Sequence, residues 1–363
     1  MKITWDIVKK IVEEKKHVYN RIEDNLSKEG IGLYGSGQVG QYMLDYMKEN
    51  NFKVKCFLDS NKQLHGKKIQ EIEINGIESF SGGAILITVN MAVAIDEIKK
   101  IIDNAFPAMS YKEWFVIKNL RKYEHIRNNM LADDESKRIF DTIIYEMLTN
   151  NDNNFSNVYS QDQYFCLKEF IEGSSESFID VGAYTGDGIE RFIWKNLGNF
   201  NKIYAFEPMS KQYKAMEKRV NRLIEEWGIE LDKIELIKAA VSDIESNIDV
   251  PVREDGISSS TFLYNNINSI KTERVPVNTL DMYFTNKIVT FIKADIEGCE
   301  MRMLKGAEKI IKQQKPKLAI CVYHKVNDII EIINYLNRIE PKYKFRIRHH
   351  SYNSSETVLY CNI

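Results

Sequence analysis

The segment Ser177-Phe178-Ile179-Asp180-Val181-Gly182-Ala183-Tyr184-Thr185-Gly186-Asp187-Gly188 constrains what this chain can fold into more than any other. A short apolar run ends in an acid, two glycines bracket a turn, and an amphipathic helical pattern begins. Lys202-Ile203-Tyr204-Ala205-Phe206-Glu207-Pro208 then repeats the apolar strand ending in a carboxylate. A glycine-rich first strand-to-helix turn, with an acid at the end of the next strand, is how an open α/β sheet holds an adenosine. Gly182 and Gly186 let the backbone approach a ligand where a Cβ would collide. Glu207 would accept hydrogen bonds from the two ribose hydroxyls. Gly182-Ala183-Tyr184-Thr185-Gly186 has no Gly-x-Gly, so no pyrophosphate cradle is evident.

Strands and helices alternate onward through 178–181, 203–206, 234–239, 289–293 and 318–322. Two late strands near 345–348 and 357–361 have no helix between them. This pattern predicts a mostly parallel sheet with an antiparallel edge strand. Each strand end carries a polar group: Asp180, Glu207, Asp243 shortly after the third, Asp295 and His324. In Thr290-Phe291-Ile292-Lys293-Ala294-Asp295-Ile296-Glu297-Gly298-Cys299-Glu300, an apolar strand delivers Asp295 and Glu297 to its mouth. So many acids at the end of a buried strand are costly unless solvated or functional. Helix N-terminal charge accounts for Glu297 and Glu300. It does not account for Asp295.

The first third reads as a second, smaller Rossmann-like unit. Gly35-Ser36-Gly37-Gln38-Val39-Gly40 follows an apolar strand and precedes a helix, and Asp59 ends the next strand. Gly35, Gly37, Gly40 and Asp59 are candidate nucleotide ligands, and a turn kept for packing is the competing reading. The expected organisation is a helical segment over 1–28, the small unit over 29–107, a helical connector over 108–175 and the main domain over 176–363.

A chain of 363 residues favours two domains, and 44% hydrophobic with 28% charged residues describes a soluble protein with a proper core. A net charge of -2 gives no electrostatic case for nucleic acid. The five cysteines are scattered with no Cys-x-x-Cys pair, which opposes zinc and disulfide frameworks. No apolar run is long enough to span a membrane. A cytoplasmic protein is expected, and a homo-oligomer is compatible with the sequence.

The glycine turn, together with Ala205-Phe206-Glu207-Pro208, Ser258-Ser259-Ser260, Val277-Asn278-Thr279-Leu280-Asp281, Ile292 to Glu300 and Ala319 to Lys325, resembles the FkbM methyltransferases. The matching segments extend over about residues 121–363 in order. The resemblance implies a class I methyltransferase fold and transfer of a methyl group from S-adenosylmethionine to a hydroxyl of a sugar, glycan or secondary metabolite, free or linked to a sugar nucleotide. It also implies that Asp180, Gly182, Ala183, Tyr184 and Gly186 line the methionine and ribose. Glu207 would hold the ribose, Asp243 would approach the adenine, and the Ser258–Ser260 loop would close over ligand. Met209 departs from the family pattern, where another acid is common.

The sulfonium is already activated, so the protein has to align the acceptor and take its proton. Asp295, Glu297 and His324 are the candidates. A metal on Asp295 and Glu297 is weighed, and none is assigned. The rival readings are a nicotinamide-dependent sugar-modifying enzyme and a non-catalytic nucleotide-binding regulator.

Overall fold

The computed structural model describes residues 2–171, 173, 175–251 and 272–363, with the side chain of residue 251 left aside. It divides into two compact units, Met1–Glu124 with Phe140–Asn154, and His125–Ile139 with Phe155–Ile363.

In the first unit, α1 (Trp5–Lys28) buries Trp5, Val8, Val12, Ile22 and Leu26 on one stripe, as its helical spacing predicts. The unit's strands are β1 (Ile31–Tyr34), β2 (Val54–Leu58), β3 (Lys68–Ile69), β4 (Ile72–Asn75), β5 (Ala84–Ile87) and β6 (Ala108–Ser110). They form one sheet in the order β3-β4-β2-β1-β5-β6. All its pairings are parallel except the β3–β4 hairpin. Helices α2 (Gln38–Glu49) and α3 (Ala92–Ile102) follow β1 and β5.

β6 places the edge of this sheet beyond residue 107, inside the stretch expected to be a connector. Three residues carry too little pattern to be read as a strand, but the Pro107 carbonyl already accepts from Ile85 N at 2.9 Å and starts the pairing. Helix α4 (Tyr111–Lys118) follows through a capping box of Ser110 and Glu113. Helices α5 (Leu120–Asn129) and α6 (Asp134–Thr149) contribute residues to both units. The stretch 108–175 is therefore divided between the two bodies and is not a separate linker.

In the second unit, β7 (Ser177–Val181), α7 (Asp187–Lys195), β8 (Lys202–Phe206), α8 (Ser210–Trp227) and β9 (Ile234–Ile237) alternate as expected. A small sheet follows, with β10 (Ala240–Val241), β11 (Ser246–Pro251) and β12 (Thr272–Asn278) ordered β10-β12-β11. The chain continues through α9 (Leu280–Tyr283), β13 (Phe291–Ala294), α10 (Glu300–Lys305), α11 (Glu308–Gln314) and β14 (Lys317–Cys321). It closes with α12 (Asp328–Ile339), β15 (Lys344–His349) and β16 (Thr357–Asn362).

The main sheet runs β15-β16-β14-β13-β7-β8-β9. β16 is antiparallel to both β14 and β15, so the antiparallel strand stands one place in from the edge and β15 takes the edge itself. Phe178, Phe192 and Phe291 pack in the core, with the first two rings stacked at 4.4 Å between centroids. β7 is flanked by β8 on one side and by β13 on the other. The connection reverses direction there, and at such a switch point a crevice opens beyond the carboxyl ends of the strands.

Candidate active site

Three strand ends meet at that crevice. After β7 the chain turns at Gly182, with φ +76°. A Cβ on Gly182 would lie 2.0 Å from the Asp295 carbonyl oxygen, so the turn can press against the end of β13 only as glycine. Gly182 N and Ala183 N both donate to the Phe206 carbonyl at 3.0 Å, tying the turn to the end of β8. Gly186 then caps the start of α7.

Glu207 follows β8 and is buried. Its Oε2 accepts from Tyr184 N and its Oε1 from Met209 N, both at 2.9 Å. Burial pushes this carboxyl up to about 7 against the two amides and Lys293. Tyr184 itself is left-handed, with φ +49°, and exposed. An acid so placed, next to a turn that only glycine can make, suits an adenosine whose hydroxyls replace lost solvent.

Asp180 is placed differently from expectation. Its carboxylate is fully buried, and Lys293 Nζ stands 2.8 Å from Oδ1 while donating to the Gly182 carbonyl at 2.8 Å. Burial alone would lower the Lys293 pKa, but the carboxylates of Asp180 and Asp295 outweigh it and hold the ammonium charged. Asp180 is thus the counter-charge of a lysine that props the glycine turn. Ala183 is buried as well and joins the apolar core. Asp243 comes after β10 in the small sheet rather than at the end of β9, and its Oδ1 pairs with Arg302 Nε at 3.0 Å. The Ser258–Ser260 loop lies outside the described residues.

Beyond β13 the acids converge with His324. Asp295 Oδ2 accepts from the Tyr164 hydroxyl at 2.8 Å, and Oδ1 from Tyr323 at 3.4 Å. His324 Nε2 lies 3.5 Å from Asp295 Oδ1 and 3.8 Å from Glu297 Oε2, and Nδ1 lies 3.0 Å from Glu300 Oε1. Burial opposes charge on this imidazole, but Glu300, Asp295 and Glu297 together raise it to about 9. Glu300 is fully buried, and its Oε1 accepts from Ile296 N at 2.9 Å. Glu297 has φ +56°, and its half-buried carboxylate is the most exposed of the three acids. Burial raises its pKa, with His324 opposing. Glu356 accepts from Tyr323 at 3.3 Å and from Gln163.

Asp295, Glu297 and His324 are therefore brought together, beside Gly182. Lys293, Glu300, Tyr164, Tyr323 and Glu356 join them, and the sequence reading had not singled them out as site residues. The one signal available was Lys293, a cation inside an apolar strand.

In the first unit, Asp59 Oδ2 accepts from Ser36 N at 3.1 Å and Ser36 Oγ at 2.6 Å, and Oδ1 accepts from Asn61 N at 2.9 Å. A Cβ on Gly40 would fall 2.0 Å from the Gly35 carbonyl oxygen, while nothing lies within 4 Å of one on Gly37. Gly35, Gly40 and Asp59 thus have packing and turn-holding roles that require no ligand.

The fold of the second unit, with its glycine turn at the switch point and acid on the adjacent strand, defines a Rossmann-like class I methyltransferase domain. Residues 180–347 match the family model described as the methyltransferase FkbM domain. The chain carries an FkbM methyltransferase domain and is an S-adenosylmethionine-dependent methyltransferase. Among solved structures it is similar to the methyltransferase FkbM from Methylobacillus flagellatus KT, at 20% identity and TM-score 0.61, covering 98% of each chain. At that identity the likeness speaks to the fold, and it extends over both units. An rRNA methylase from Streptococcus thermophilus matches at 14% identity and TM-score 0.34, over 56% of this chain and 96% of its own. No curated protein matches the sequence at a significant level. No helix among the described residues is long and apolar enough to cross a membrane.

Proposed function

We propose that this enzyme methylates a hydroxyl oxygen of a small-molecule or glycan acceptor, such as a sugar. The observation that carries the reading is the meeting of the Gly182 turn, buried Glu207 and the Asp295–Glu297–His324 cluster at one switch point. Bound S-adenosylmethionine supplies an activated methyl group. Glu207 would accept from the ribose hydroxyls, and the Gly182–Gly186 turn would hold the adenosyl group. Tyr184 lies at the rim. Asp180 acts through Lys293 and the Gly182 carbonyl, because its own oxygens are enclosed.

A hydroxyl needs a proton acceptor as the new C–O bond forms. His324 is enclosed by the carboxylates of Asp295, Glu297 and Glu300, and Asp295 is engaged by two tyrosine hydroxyls. Glu297 is the open carboxylate at the mouth and takes the acceptor proton in this reading. The left-handed backbone at Glu297 fits a residue held in place for function. The nicotinamide alternative lacks support in the first unit, where Asp59 is already satisfied by Ser36 and Asn61.

The test is release of S-adenosylhomocysteine across a panel of sugars, nucleotide sugars and polyols, with the methylated atom located by NMR. Methyl ethers support the reading. Methylamines or methyl thioethers as sole products would overturn it.

A further inference from the structure

His324, Asp295 and Glu300 each offer one ligand-type atom, and these three atoms lie within 4.8 Å of one another. Tetrahedral bonds of about 2.0–2.2 Å set ligand atoms about 3.3–3.6 Å apart, so rotations of the carboxylates and the imidazole have to draw the set together around an ion. Their burial is unusual for a set of acids. Glu300 is wholly enclosed and the His324 side chain is only 8% exposed.

Glu300 Oε2 has no hydrogen-bond partner. Neither imidazole nitrogen makes a hydrogen bond of acceptable geometry, although carboxylate oxygens stand 3.0 and 3.5 Å away. Orphaned buried polar atoms of this kind are rare and call for an explanation. The charge count points the same way. Asp295, Glu297 and Glu300 all face His324, at 3.5, 3.8 and 3.0 Å from its ring nitrogens. The nearby cations are otherwise engaged or fewer: Lys293 lies against Asp180, and Lys325 faces Asp328. A divalent ion would offset the carboxylates gathered here.

We propose that His324, Asp295 and Glu300 bind a divalent cation at the mouth of β13, on the acceptor side of the methyl-transfer site. One imidazole nitrogen with two carboxylates suits a borderline ion such as Mn2+ or Zn2+ better than Ca2+. The cation would draw the acceptor oxygen towards the methyl donor and ease loss of its proton to Glu297. That role rests on the methyl-transfer reading, but binding of the ion does not.

The full chain is stripped with chelator and titrated with Mn2+, read by electron paramagnetic resonance and calorimetry. One Mn2+ per chain is expected, with affinity weakened by more than about tenfold in Asp295→Asn and in Glu300→Gln. Circular dichroism and S-adenosylmethionine affinity report whether each variant is folded, and Asp295→Asn covers a misfolded Glu300→Gln. No saturable Mn2+ binding to wild type, or binding unchanged in folded Asp295→Asn, would overturn the inference. The readout needs no turnover. Failure of the methyl-transfer reading would instead be seen in the absence of methyl ether products.

Discussion

At the residue scale, Glu207 and Asp180 show two uses of a strand-end acid. Glu207 is pushed up to about 7 by burial, from 4.5 in the unfolded chain. Between those values the folded state holds the proton more tightly, so this group's contribution to stability falls as pH rises through the window. Between about pH 4.5 and 7 this group should lower the melting temperature of wild type as pH rises, and that part of the slope should be missing in Glu207→Gln. The ribose hydroxyls need the ionised form, so S-adenosylmethionine affinity should fall below pH 7 by up to about tenfold per unit. A flat affinity profile from pH 5.5 to 8 would contradict this assignment. Asp180→Ala leaves Lys293 buried without its counter-ion, and a loss of about 3–5 kcal/mol in denaturant unfolding is expected. Glu297→Gln should depress kcat by about a hundredfold or more and leave cofactor affinity unchanged. The place of Glu207 at the end of β8 is legible in the sequence because it depends on local pattern. The partnership of Lys293 with Asp180 is not, because only the register of β13 against β7 places them side by side.

At the element scale, the alternation of strands and helices announces the sheet, and the lack of a helix between the last two strands announces the hairpin. Which strand of the hairpin pairs with β14 is set by packing rather than by local pattern, and so β16 stands inside the sheet contrary to expectation. Three-residue β6 shows the other limit of legibility, being too short for a period to register. Helix α4 depends on Glu113, which caps Ser110 N at 2.7 Å while Lys15 and Lys99 pair with it. Glu113→Ala should cost about 1–2 kcal/mol through the cap alone, measured by urea unfolding. Gly182→Ala is the sharpest test of the turn. The left-handed backbone costs about 1–2 kcal/mol for a side chain, and the contact with the Asp295 carbonyl has to be relieved as well. The variant should lose cofactor affinity even where it folds.

At the scale of the whole molecule, two α/β units share one chain that passes from the first to the second and back before continuing. A cut after residue 107 would remove β6 from its sheet and α4 from its unit, so the first unit cannot be deleted cleanly at the boundary suggested by sequence. Point substitutions are the appropriate probes of either unit. In the proposed enzyme the methyl donor binds at the mouths of β7 and β8, with Glu207 on its ribose. Calorimetric titration of S-adenosylmethionine into wild type and Glu207→Ala tests that placement most directly. One site per chain is predicted, weakened by at least about tenfold in a variant whose circular dichroism is unchanged, since each charge-assisted hydrogen bond is worth about 1.5–3 kcal/mol. Equal affinity in the two proteins would contradict it.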